Sequence, residues 1–125
     1  MICYLYSNNE LLGWADLLPS DPSMGCVAGE FHPNENYSRV QPIIREIFIH
    51  NGTLGERNNE KLAIAFEAKD GLNLQVRTES GIVLQPEGPI FLHDFTSVAP
   101  ELEILLDVCG LRGELEDVFG QRADS

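Results

Sequence analysis

Hydrophobic and polar residues alternate along much of the chain, as in β-strands with one buried face. Near the N-terminus the alternation covers residues 2–6 and 11–17. Between them, Asn8 and Asn9 tolerate the positive φ angles of a tight turn. We therefore predict an N-terminal hairpin. A short strand is expected at residues 25–31, where two glycines indicate a bulge or a close backbone approach.

The segment 38–50 has the periodicity of a helix instead. Ser38 and Gln41 fit a capping box at its start. Its apolar residues recur at helical spacing and form one face: Val40, Ile43, Ile44, Ile47 and Phe48. This pattern predicts the main helix of the protein, with that face packed against a sheet.

A second hairpin is predicted in the middle of the chain. Residues 62–69 and 72–77 both alternate between apolar and polar positions. Asp70-Gly71, which lies between them, is a strong signal for a two-residue turn. We expect one side of this hairpin to face solvent.

The last third of the chain contains shorter elements. Strands are expected at 82–84 and 89–95. Residues 101–109 fit both a strand and a helix, and we favour the strand because an isoleucine and a valine occupy the alternating positions. A short closing helix is expected at 113–119, followed by a frayed tail at 121–125.

These elements predict an α+β fold, a largely antiparallel sheet built from hairpins with one main helix (38–50) packed on one face. The chain has 125 residues, of which 43% are hydrophobic, and this suits a single domain covering 1–125. A helix on one face leaves the other face of the sheet free for solvent or a partner.

The charge of the chain limits the kinds of partner that it can bind. Asp and Glu number 20 and Lys and Arg number 8, a net charge of −12. Binding to nucleic acid or to an anionic membrane needs clustered bases, so neither is expected. No apolar run approaches the length of a membrane span, and the N-terminus does not resemble a signal peptide. We therefore expect a cytoplasmic protein.

Cysteine and histidine patterns give no sign of a metal or a cofactor. The three cysteines, Cys3, Cys26 and Cys109, are far apart and odd in number, so we expect all three to be reduced. The histidines are isolated from one another as well. We expect no metal site and no cofactor.

Candidate catalytic residues are equally sparse. The sequence contains no phosphate-binding glycine motif and no metalloprotease or serine-hydrolase motif. His93-Asp94 is an adjacent pair of suitable type, but neighbours on a strand point to opposite faces. The sequence therefore favours a protein that is not an enzyme.

Acidic residues concentrate towards the two ends of the chain. Residues 1–37 hold five acids and no Lys or Arg, and eight acids but only two arginines follow from Asp94 onward. Tyr6 and Trp14 lie in the acidic front part, and such side chains are frequent anchors at interfaces. The candidate partner-binding residues are Tyr6, Trp14, Asp16, Asp21, Glu30, Glu35, Glu101, Glu103, Asp107, Glu114, Glu116 and Asp117.

We interpret the chain as a non-enzymatic acidic binding protein that occupies a basic site on another protein. A small bacterial immunity-type inhibitor, which masks a cationic toxin, is the concrete form of this hypothesis. Negative charge would accelerate capture and aromatic anchors would slow release. The alternative is a structural or regulatory subunit that forms a homodimer through its open sheet face.

Overall fold

The computed structural model describes residues 1–120, which form a curled antiparallel sheet of seven strands with three α-helices. The strands are β1 (Ile2–Ser7), β2 (Glu10–Asp16), β3 (Leu18–Asp21), β4 (Cys26–Pro33), β5 (Leu74–Thr78), β6 (Ile90–Asp94) and β7 (Ile104–Val108). The helices are α1 (Gln41–His50), α2 (Asn59–Asp70) and α3 (Gly113–Phe119). This confirms the α+β class and the antiparallel sheet. The tail predicted at 121–125 lies outside the described residues.

The predicted N-terminal hairpin is confirmed as β1 and β2. Asn8 and Asn9 have φ angles of 49° and 67°, as the turn chemistry requires. The two strands pair in antiparallel register, with Tyr4 opposite Trp14. A β-bulge after Leu5 shifts this register near the turn.

The sheet interleaves strands from both ends of the chain. Its order is β5-β1-β2-β4-β7-β6, and β3 pairs with β4 outside this path. The late strand β7 therefore lies between the early strand β4 and β6. The two outermost strands of the path, β5 and β6, both line one cleft of about 530 Å³.

The hydrophobic core fills the inside of the curl. Alternate residues of the strands point into it, among them Leu5, Val27 and Leu106, each of which is fully buried. Helix α1 contributes Ile44 and helix α3 contributes Leu115. The opposite face of β1, β2 and β4 is left outside, whereas Phe91 on that face of β6 contacts Phe66 of α2.

The single main helix expected at 38–50 is found only in part. A 3-10 turn covers Glu35–Arg39, and α1 begins at Gln41 with Pro42 in its first turn. Ile44 packs into the sheet core, but Ile47 belongs to a separate cluster between α1 and α2. The apolar face of α1 is thus shared between the sheet and a second helix.

The hairpin predicted for 62–69 and 72–77 is wrong in its first half. Residues 59–70 form α2, whose N-cap Asn58 accepts a hydrogen bond from the backbone N–H of Lys61 at 3.0 Å. The second half does form a strand, β5, but it pairs with β1. The segment expected as a strand at 82–84 is reduced to one bridge, between Val83 and Arg77.

The predictions for the end of the chain hold. The strand expected at 89–95 is β6, and the ambiguous segment 101–109 contains β7, which pairs with both β4 and β6. The helix expected at 113–119 is α3. Among residues 1–120, no helix is long and apolar enough to cross a membrane.

Candidate partner-binding face

The outer surface of the sheet carries a row of aromatic and cationic side chains. In register across β5, β1, β2 and β4, Arg77 lies opposite Tyr4, Tyr4 opposite Trp14, and Trp14 opposite His32. Alternate strand residues share a face, so these four point away from the core. We call this row, with the neighbouring Tyr6, the aromatic row.

Contacts within the aromatic row hold its side chains in place. The rings of Trp14 and His32 are stacked, with centroids 4.1 Å apart. The guanidinium carbon of Arg77 lies 4.0 Å from the centre of the Tyr6 ring, a cation–π contact. Arg77 also donates hydrogen bonds to the side chains of Gln75 and Asn9. The row is therefore preorganised, which lowers the entropy lost when it binds a partner.

The aromatic row is open to solvent in the middle. Trp14 exposes 40% of its surface, and Leu11, which lies opposite Tyr6, exposes 36%. Helix α1 packs at the far side of the sheet, against β6, and α2 packs on α1. A rigid, exposed tryptophan on a strand is typical of an interface anchor.

An acidic groove lies on the outer surface at β4. It has a volume of about 530 Å³ and is lined by Glu30, Glu101 and Glu103 together with Phe95 and Leu102. Glu30 is two residues from His32 on β4, so it shares the outer face with the aromatic row. Three carboxylates and two apolar side chains in one groove suit a long side chain with a cationic end.

Two more candidate acids lie on the outer face but already have partners. Asp16 accepts a hydrogen bond from the N-terminal ammonium group at 2.7 Å. Asp107 on β7 lies 3.6 Å from Nε2 of His93. The ammonium group partly neutralises Asp16, which therefore contributes less to the field around the groove.

The other candidate acids lie elsewhere in the molecule. Asp21 caps the 3-10 turn at Pro22–Met24, and Glu35 lies in the turn at Glu35–Arg39. Glu114 accepts a hydrogen bond from the backbone N–H of Gln85 at 2.9 Å. Glu116 and Asp117 are exposed on α3. The structure therefore brings acids of both chain ends together in the groove but leaves these five outside it.

Sequence reasoning missed three members of the outer face. Tyr4 and Arg77 join the aromatic row only because β5 pairs with β1, and the sequence predicted a different partner for β5. His32 lies just beyond the strand expected at 25–31, but β4 extends to Pro33 and includes it. The alternation of Tyr4 and Tyr6 with buried residues was the one available signal.

The His93-Asp94 pair is divided between the two faces of β6. Asp94 is fully buried and accepts hydrogen bonds from the Tyr37 hydroxyl at 2.9 Å and from the Gln41 amide at 3.0 Å. Burial, followed by the charge of Asp94, raises the pKa of Tyr37 well above its usual range. This network joins α1 and the turn before it to β6. Asp94 is on the inner face of β6 and so does not act together with His93 on the outer face.

The expectation of three reduced cysteines is wrong. Cys26 and Cys109 form a disulfide that links β4 to β7, with Cα atoms 4.0 Å apart. They are separated by 83 residues in the chain, and only the pairing of these strands brings them together. Cys3 is free and buried, and desolvation raises the pKa of its thiol to about 11, which makes it a poor nucleophile.

Comparisons with known protein families, with curated proteins and with solved structures find no match to this chain. Inferences about its function therefore rest on the geometry of its own residues.

Proposed function

We propose that this protein is a non-enzymatic binding protein whose outer face occupies a basic site on a partner protein. The exposed, preorganised aromatic row beside the acidic groove is the observation that carries this proposal. An immunity-type inhibitor that masks a cationic toxin, such as a nuclease with an anionic substrate, is the form we favour.

The two parts of the face have different tasks in such a complex. The net charge of −12 attracts a basic protein over about a Debye length and raises the association rate. The groove at Glu30, Glu101 and Glu103 takes a lysine or arginine of the partner. Trp14 supplies apolar area and slows dissociation once it is buried.

A homodimer formed through the same face is the second candidate, and the exposed Leu11 and Trp14 favour it. A twofold interface would, however, bring each groove close to its own copy. Like charges at such an interface repel, so high salt would strengthen a homodimer. Salt would weaken a complex with a basic partner, and the two candidates therefore differ in the sign of their salt dependence.

An arginine-rich peptide tests the proposal directly. Trp14 is the only tryptophan of the chain, so its fluorescence reports on the centre of the aromatic row. Titration with an octa-arginine peptide should change the Trp14 emission in a saturable way at low ionic strength. The affinity should fall steeply as salt rises, and an octa-lysine peptide should bind more weakly because lysine stacks less well on aromatic rings.

Two matched double variants locate the site. Glu101→Gln/Glu103→Gln removes two charges from the groove and should weaken peptide binding by about fivefold or more, since one charged contact contributes on the order of 1 kcal/mol. Glu56→Gln/Glu67→Gln removes two exposed charges from the α1–α2 loop and from α2, and its effect should be much smaller. Equal effects of the two variants would contradict the proposed face.

Sedimentation of the protein alone distinguishes the homodimer from the complex with a basic partner. We expect a monomer at low and high salt. A dimer that grows stronger with salt and disappears in Trp14→Ala would favour the second candidate over the first.

A further inference from the structure

Three side chains with metal-binding atoms meet on the outer face at β4 and β7, away from the aromatic row, and a fourth, His93, lies beside one of them on β6. Cys26 is the first residue of β4 and is bonded to Cys109, which directly follows β7. Asp107 is two residues before Cys109 on the same face. The two sulfur atoms and a carboxylate oxygen of Asp107 all lie within 4.8 Å of one another. His93 on β6 adds an imidazole nitrogen, 3.6 Å from Oδ2 of Asp107.

Two of the separations between these atoms match the edges of a tetrahedral zinc site. Ligand atoms about 2.0–2.3 Å from a tetrahedral zinc lie roughly 3.3–3.8 Å from one another. The Sγ of Cys109 is 3.4 Å from Oδ1 of Asp107, and the His93 nitrogen is 3.6 Å from Oδ2. The two sulfurs are bonded to each other. His93 lies outside the group of atoms within 4.8 Å of one another, so its side chain has to turn towards the sulfurs to bind the same ion.

We propose that the reduced form of this cluster is a zinc site with ligands Cys26, Cys109, Asp107 and His93. Two thiolates, one imidazole and one carboxylate make up a ligand set that binds zinc in preference to calcium or magnesium. The four residues lie in, or directly after, three hydrogen-bonded strands, so their backbone is already in place before the metal binds. The site therefore alternates between a disulfide and a bound metal ion.

Apart from the two cysteines, the exchange between the two states needs only a dithiol reductant and a zinc ion. A dithiol reductant gives two electrons and two protons to the Cys26–Cys109 bond and becomes a disulfide. Zinc then displaces the two thiol protons into solvent as both sulfurs bind it. His93 and Asp107 expose 37% and 26% of their side chains, which leaves the cluster accessible from solvent.

Each state joins the strands in its own way. The disulfide links β4 to β7 only. Zinc would join β4 and β7 through the cysteines and would add β6 through His93. In a reducing compartment the metal would replace the covalent link, since disulfides are rare there.

Cobalt(II) in place of zinc provides the test. The reduced protein, freed of metal with a chelator that is then removed, is titrated with cobalt(II). One equivalent should produce thiolate charge-transfer bands and the visible bands of tetrahedral cobalt, and zinc should displace them. The oxidised protein should give neither. A reduced protein that keeps its circular dichroism but shows no such bands overturns the proposal.

Single variants test each ligand. His93→Ala and Asp107→Asn should each weaken cobalt binding by at least about tenfold and alter the visible bands. Cys3→Ala removes the one thiol outside the cluster and should leave binding unchanged. Unchanged binding in both His93→Ala and Asp107→Asn would show that the thiols act alone and would overturn the site.

The test remains decisive if the reduced protein unfolds without metal. Zinc should then restore the folded circular dichroism spectrum with one equivalent, because binding energy becomes folding energy. Failure of zinc to restore the fold would count against the proposal. Binding of octa-arginine is a separate measurement, so the partner-binding face and the zinc site can fail independently.

Discussion

Gly29 illustrates how one residue without a side chain sets the path of the sheet. It lies in β4, and a Cβ atom there would meet the backbone carbonyl oxygen of Asp16 in β2. That oxygen belongs to the main chain and cannot turn aside as a flexible side chain could. The close approach expected from the sequence at 25–31 is therefore real at this glycine.

Gly29→Ala should destabilise the protein by about 1–3 kcal/mol, because the added methyl group forces β2 and β4 apart. Gly113→Ala is the matched control, since a Cβ there meets nothing closer than 3.7 Å, from Asp117. It should be neutral or slightly stabilising in urea unfolding followed by circular dichroism. Equal stability of the two variants would show that β2 and β4 are not in close contact.

For single residues of the outer face, the sequence predicts which side of the strand they point to but not which residues they contact. Alternation along β1 and β2 places Trp14 opposite in phase to the buried Ala15, and the structure confirms this. The stacking of Trp14 on His32 needs the register of β2 against β4, which joins residues from separate parts of the chain. Nothing local in the sequence fixes that register.

Helix α2 shows how an alternating pattern can belong to a helix. Leu62, Ile64 and Phe66 alternate with polar or small residues, but only Leu62 of these three is buried. Ile64 exposes 64% of its surface, whereas Ala65, three residues after Leu62, is buried. The small alanines between the large residues favour a helix, and the Asn58 cap settles its start.

Two alanine substitutions distinguish the helix from the predicted strand. Leu62→Ala should cost about 2–3 kcal/mol, because Leu62 packs with Ile47 between α1 and α2. Ile64→Ala should change stability by less than about 0.5 kcal/mol, because Ile64 faces solvent. Thermal or urea unfolding of both variants gives the comparison, and a larger loss for Ile64→Ala would contradict the helix.

At the scale of the whole molecule, the disulfide closes a very long loop. Its two cysteines are 83 residues apart, so in the chain-entropy description the bond limits the unfolded state strongly. The sequence offered no means to foresee this. The pairing depends on β4 and β7 being neighbours, whereas the local patterns predict each strand but not their order in the sheet.

Reduction of the disulfide should lower the free energy of unfolding by about 4 kcal/mol, the size expected for a loop of this length. Urea unfolding of the oxidised and reduced protein measures the difference, with a chelator present to exclude metal binding. Cys26→Ala/Cys109→Ala should match the reduced protein, and Cys3→Ala should retain the difference. A loss below about 1 kcal/mol would mean that the unfolded chain already keeps these strands together.

The position of β7 also determines the order in which the molecule can be completed during its synthesis. The β1–β2 hairpin forms from neighbouring residues. One edge of β4, however, has no partner until β7, which begins at Ile104, has been synthesised. Pairing over such a separation is slow, and until then one edge of β4 and one edge of β6 are open to other chains. A nascent chain that stops before Ile104 therefore has unpaired strand edges in the middle of its sheet, where it can aggregate. Completion of the fold depends on the final strand, β7, more than on the first hairpin.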